Sequence, residues 1–216
     1  GTGDNTADLS LYVHIPFCAN VCFFCGCNKE VTKDHCRSKA YLEVLSKECE
    51  LVSAQIGGNK EVVQLHFGGG SPTFLNNEEI FQVMDIIRSH FTLAPDAEIS
   101  IEVDPRSTPV DKVEVLAKAG FNRMSIGVQD FDNRVQIAVN RVQPFEMTKA
   151  VLDAARANGF KSINMDLIYG LPFQSRKTFE MTLDKVIELS PDRIALYHFA
   201  HLPEHFKPQR RINAED

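Results

Sequence analysis

The sequence predicts an α/β fold in which parallel strands and their helices form an incomplete (β/α)6 barrel, TIM-like but not closed. Strand-like and helix-like runs alternate six times along the 216 residues. Within the runs at 9–17, 98–104, 123–129 and 162–170 the apolar residues fall on every second position, and the positions between them are largely polar. Buried parallel strands ordinarily read as continuous apolar runs. The alternation therefore sets the helices against one face of the sheet and leaves the other face to line a cavity.

The strand candidates are 9–17 (LSLYVHIPF), 61–70 (EVVQLHFGGG), 98–104 (EISIEVD), 123–129 (RMSIGVQ), 162–170 (SINMDLIYG) and 193–199 (RIALYHF). Each is rich in β-branched residues and of ordinary strand length. Between the first two, residues 39–56 place Leu42, Leu45, Cys49, Val52 and Ile56 on one helical stripe, which makes Cys49 a core thiol. Residues 76–91 open with an Asn cap and early acids, and the helices ending near Gly120 and Gly159 stop on glycine. The apolar face collects Leu11, Val13, Ile15, Ile99, Ile101, Val103, Met124, Ile126, Val128, Ile163, Met165 and Leu167. Opposite them lie Tyr12, His14, Gln64, His66, Glu98, Ser100, Glu102, Asp104, Arg123, Ser125, Gly127, Gln129, Asn164 and Asp166. Burying so many polar groups unpaired would cost on the order of 1–3 kcal/mol each, so a wide, polar lumen is expected. A closed eight-stranded barrel fills its interior with branched apolar layers instead.

With 44% apolar residues the chain can bury a core, and one domain is the expectation. Residues 1–8 are small and polar and read as a flexible leader, with the barrel over 9–216. A net charge of −6 gives no general attraction to nucleic acid or anionic membranes. No apolar run reaches the ~18 residues of a membrane helix, and no signal-peptide pattern opens the chain. A cytoplasmic monomer is the expectation. Six cysteines are too few for a disulfide scaffold, which favours metal or redox chemistry.

Four of the six lie in "CANVCFFCGCN", residues 18–28. Cys18, Cys22 and Cys25 form C-x3-C-x2-C directly after the first strand, where a parallel α/β barrel assembles its active site. A zinc site with Cys27 as fourth ligand is one reading, although four ligands in ten residues crowd a tetrahedron. An iron–sulfur cluster is the other. The second signal is "HFGGGSPT", residues 66–73, whose three glycines let backbone approach a ligand closely.

The cysteine spacing resembles the signature of the radical S-adenosylmethionine (SAM) enzymes. With "LYVHIPFC", "GGGSPT", "EISIEVDP", "FNRMSIGVQDF", "INMDLIYGLP" and "AHLP", the chain from about residue 9 onward is similar to the oxygen-independent coproporphyrinogen III oxidases, also called coproporphyrinogen dehydrogenases. It resembles their catalytic barrel alone, without the family's N-terminal extension and C-terminal domain.

That resemblance implies a [4Fe-4S] cluster on Cys18, Cys22 and Cys25, its fourth iron open to SAM, and a second SAM molecule. Tyr12, Gly69 and Glu102 would contact the cluster-bound SAM. Phe24, Gly26, Cys27, Gly70, Ser71, Gln129, Arg141 and Asp166 would contact the second, with Ala200 adding a backbone contact. Ser71 stands where the family usually has Thr, so the hydroxyl is kept. Cys27 and His14 are the implied catalytic groups, His14 handling a proton or touching substrate. The implied chemistry is radical SAM oxidative decarboxylation of two propionates of coproporphyrinogen III to vinyl groups, giving protoporphyrinogen IX in haem biosynthesis, with a reducing electron donor. A haem-chaperone-like relative that binds haem without decarboxylating is the competing implication, and Cys27 in "GCN" favours the oxidase.

Overall fold

The computed structural model describes residues 8–56 and 60–213, so nearly all of the expected leader lies outside them. The chain opens with β1 (Leu9–Ile15), a two-residue β2 (Phe17–Cys18) and a two-residue β3 (Glu30–Val31). Next come α1 (Cys36–Ile56), β4 (Glu61–Gly69), α2 (Asn77–His90), β5 (Thr92–Val103) and α3 (Val110–Ala119). It continues through β6 (Arg123–Gln129), α4 (Asn133–Ala138), α5 (Phe145–Ala157), β7 (Ser162–Tyr169), α6 (Arg176–Leu189) and β8 (Arg193–His198).

Six strands form one sheet in the order β1-β4-β5-β6-β7-β8, every pair parallel. Sheet order follows chain order without reversal, whereas a doubly wound sheet reverses at a switch point. Right-handed crossovers that always step the same way keep the helices on one face. β1 and β8 remain the two edges, which is the incomplete barrel that six units predict. Among the described residues no helix is long and apolar enough to cross a membrane.

The predicted faces hold. Val13, Ile15, Ile101, Ile126 and Met165 are buried in a single core with Leu42 and Leu45 of α1, Ile80 and Met84 of α2, and Leu116 of α3. Each such side chain contributes about 1.5–3 kcal/mol by leaving water. Cys49 joins that core as expected, but Val52 of the same stripe is 40% exposed, because the last turns of α1 carry it off the sheet. The Asn76 side chain accepts from Glu79 N while Glu79 reaches back to Asn76 N, a reciprocal cap worth about 1 kcal/mol. Gly120 ends α3 at φ 106°, in the left-handed region a glycine tolerates.

Two strand limits differ from the sequence reading by more than one residue. The first strand stops before Pro16, and the Pro16 carbonyl instead accepts from Glu30 N at 2.7 Å. β5 begins at Thr92, not 98, because Thr92 and Leu93 pair with Glu61 and Val62 before the register jumps to Gln64 with Glu98. Pro95 falls in that irregularity, where no ladder donor is required.

Candidate active site

The cysteine loop leaves the C-terminal end of β1 and is fastened by backbone bonds. Thr32 N donates to Cys18 O at 2.9 Å, Phe23 N to Val139 O at 2.9 Å, and Cys25 N to Cys22 O at 3.2 Å. Asn140 Nδ2 reaches Val21 O at 2.7 Å, and Gln209 Nε2 reaches Phe24 O at 2.9 Å. Gln209 is only 1% exposed and also binds Ala200 O at 3.1 Å, so one amide ties the loop to the segment after β8. Phe206 of that segment lies against Gly26, where an added Cβ would approach its ring to 2.9 Å.

The glycine segment ends β4 beside that loop. Gly70 N donates to Ile15 O and Ser71 N to Phe17 O, both at 2.8 Å. A Cβ on Gly70 would sit 2.7 Å from the Pro16 and Phe17 carbonyl oxygens, so the close approach of two backbones dictates glycine there. Buried Lys112 holds the turn that follows, donating to Thr73 O at 2.6 Å and to Leu75 O. Burial lowers its pKa to about 8.

Between the loop, the glycine segment and the strand ends lies a cavity of about 290 Å³, near the low end for small-molecule pockets. Cys18, Cys22, Cys25, Phe24, Cys27, Gly69, Gly70, Ser71, Glu102, Gln129, Arg141 and Asp166 all line it. Tyr12, His14, Gly26 and Ala200 lie outside its lining. Tyr12 stacks on His66, and the Glu102 carboxylate takes Gly69 N and His66 Nε2, each at 3.3 Å. His14 has both ring nitrogens engaged, Nε2 with Asn28 O at 2.9 Å and Nδ1 with the Tyr12 hydroxyl at 3.2 Å. A carbonyl can only accept, so the neutral His14 ring carries its proton on Nε2 and accepts from Tyr12.

Sequence reading missed the ionic group behind Cys22. Asp104 Oδ2 takes Arg106 Nη2 at 2.7 Å and Arg141 Nη1 at 3.1 Å. Burial works against its charge, but Arg141 and Arg106 outweigh that and hold the carboxyl below its ordinary value. Arg141 was expected to offer a fork to a ligand carboxylate; here its Nη2 is taken by Gly127 O at 2.7 Å and its buried Nε alone lacks a partner. Asp166 accepts from Ser125 Oγ at 3.1 Å and Asn164 Nδ2 at 2.7 Å, yet burial raises its pKa.

The thiols also respond to one another. Burial, then the neighbouring Cys25 and Cys22, push Cys18 up to about 11. A hydrogen bond shared by Cys25 and Cys27 draws Cys25 down and Cys27 up. All three cysteines of the motif are free, face one cavity and repel when ionised, so this donor set fits iron, whose charge would offset theirs. Among the described residues no three His, Cys, Asp or Glu side chains converge to hold a single metal ion. A cubane spreads its thiolates over different irons and needs no such convergence.

Residues 12–186 match the family described as the Radical SAM superfamily. The chain belongs to that superfamily. Membership implies a [4Fe-4S] cluster and SAM as cofactors. Over 210 residues the chain is 52% identical to the oxygen-independent coproporphyrinogen III oxidase of Pseudomonas aeruginosa, covering 96% of this chain and 46% of that one. It is 50% identical over 208 residues to the protein of the same name from Escherichia coli K12, covering 96% and 45%. The solved structure of coproporphyrinogen III oxidase (HemN) from Escherichia coli superposes with a TM-score of 0.94 at 49% identity, over 97% of this chain and 48% of that chain. The radical SAM methyltransferase TsrM from Kitasatospora setae, at 15% identity and TM-score 0.59 over 86% and 35%, shares the fold alone. The chain spans about half the length of the curated relatives it matches.

Proposed function

We propose that residues 9–216 are the catalytic barrel of an oxygen-independent coproporphyrinogen III oxidase, an oxidoreductase that decarboxylates two propionates of its substrate to vinyl groups. The observation that carries this reading is the convergence of Cys18, Cys22 and Cys25 with the glycine segment on one cavity at the C-terminal ends of the strands. That cavity lies in a chain half identical to proteins of that name.

The three cysteines would hold three irons and leave the fourth to SAM. When bound, the cluster and SAM would supply the one-electron chemistry by which hydrogen is abstracted from the substrate. The chain's own residues orient the reactants. Glu102 would offer lone pairs to a ribose diol beside Gly69, with Tyr12 as a proposed further contact from outside the cavity lining. A second SAM would rest on Phe24, Gly26, Gly70, Ser71, Gln129 and Asp166, with the spare Arg141 Nε and Ala200 as further contacts. Cys27, exposed on the cavity wall, and His14, which reaches the Tyr12 hydroxyl, are the proposed proton-handling groups. A reducing electron donor in the cytoplasm and a single chain as the working unit complete the proposal.

The test is anaerobic reconstitution of this chain with iron and sulfide, followed by dithionite, SAM and coproporphyrinogen III. About four irons per chain and conversion to protoporphyrinogen IX are expected. Stable zinc with no iron uptake would overturn the cluster assignment, and SAM cleavage without porphyrinogen turnover would leave the substrate open or assign turnover to the part of the relatives that this chain does not span.

A further inference from the structure

Cys22 is buried, at 8% exposure, and its sulfur lies within reach of two guanidinium groups. Arg106 Nη2 donates to Cys22 Sγ at 3.1 Å, and Arg141 Nη1 lies farther away at 3.5 Å. Arg106 is fixed in that pose. Its Nε contacts both Asp104 oxygens, at 3.0 and 3.2 Å, and its Nη1 reaches Asn140 O at 3.2 Å. Its Nη2 spends one hydrogen on Asp104 Oδ2 at 2.7 Å, which leaves the other for the sulfur. Asp104 is in turn fixed by accepting the Arg106 backbone N–H at 3.0 Å. A lysine could not reproduce this arrangement, since one ammonium replaces a rigid planar fork.

We propose that Arg106 is a positioning residue that raises the reduction potential of the cluster by donating to the Cys22 sulfur, an inference that rests on Cys22 being an iron ligand. One-electron reduction adds negative charge that spreads onto the thiolate sulfurs, and a charged N–H donor favours that more electron-rich state. Arg141 adds less, because its shorter bonds go to Asp104 and Gly127. The fold thus makes the cluster easier to reduce through a guanidinium that also lines the cavity.

The experiment compares the midpoint potential of the reconstituted chain with Arg106→Gln and Arg106→Lys, titrating with dithionite and following the reduced cluster by electron paramagnetic resonance. Both variants are expected to load iron as the parent does. Arg106→Gln should shift the reduced-to-oxidised ratio at least tenfold toward the oxidised cluster, about 59 mV for a one-electron couple. Arg106→Lys should shift it in the same direction by less. An unchanged potential in Arg106→Gln overturns the inference, and if that variant fails to assemble, an unchanged potential in Arg106→Lys does so. Cys22→Ser separates the two levels: normal cluster assembly there removes Cys22 as a ligand, whereas lost assembly with unshifted Arg106 variants defeats the tuning role alone.

Discussion

Asp104, just past the end of β5, and Asp166, within β7, line the same cavity, and their pKa values move in opposite directions. Burial disfavours the charge on both. Around Asp104 two guanidinium groups overcome that penalty, so its carboxyl stays below the ordinary value. Around Asp166 the direct donors are the neutral Ser125 and Asn164, which offset burial only in part, and its carboxyl rises. The first region spends its charges on one another and on Cys22. The second keeps a carboxylate that the folded chain does not fully compensate, facing the cavity. A costly buried charge beside a pocket is the mark of a ligand-binding or catalytic group, and it supports placing Asp166 against a ligand while Asp104 organises the wall.

The largest expected effect is at Asp104. Asp104→Asn strands Arg106 and Arg141 without a counter-charge, which should cost about 3–5 kcal/mol in urea unfolding at pH 7. A depressed pKa contributes stability above the ordinary carboxylate value and loses it as pH falls through the folded pKa. The gap between parent and variant should therefore narrow below about pH 4. Equal stability at pH 7 would erase the distinction between the two carboxylates.

Asp166→Asn should act in the opposite sense. A raised folded pKa means that the ionised group subtracts stability above that pKa and stops doing so once protonated. The variant is expected to be more stable than the parent by about 0.5–2 kcal/mol at pH 7. That gain should fade on acidification, and SAM bound beyond the first equivalent should be lost, which equilibrium dialysis would measure. A destabilised variant would mean that Asp166 is as structural as Asp104.

Much of this was legible in the sequence because it is local. A period of two assigns Ile126 and Ser125 to opposite faces whatever the rest of the chain does, and C-x3-C-x2-C is a spacing within one loop. What escaped is long-range or too short for a pattern. Arg106 and Cys22 are 84 positions apart, and Gln209 and Phe24 are 185 apart. β2 and β3 have two residues each, below any detectable period. "DPRS" after the β5 strand held the one available hint, an acid and an arginine two apart at the rim where barrel sites assemble. Nothing between residues 199 and 216 announced that Gln209 would fold back onto the cysteine loop.

The smallest effect isolates the neutral donors. Ser125 Oγ donates to Asp166 and also accepts from Asn164 Nδ2 at 2.8 Å, so it joins Asn164 in a polar triad around that carboxylate. Ser125→Ala should cost about 0.5–1.5 kcal/mol, the net worth of one hydrogen bond. It should also move Asp166 further up, because a donor that stabilised the anion is gone. A carbon-13 titration of the Asp166 carboxyl in parent and variant measures this directly. If the midpoint stays in place, Asn164 alone compensates the anion, and the elevation of Asp166 is burial against a single amide.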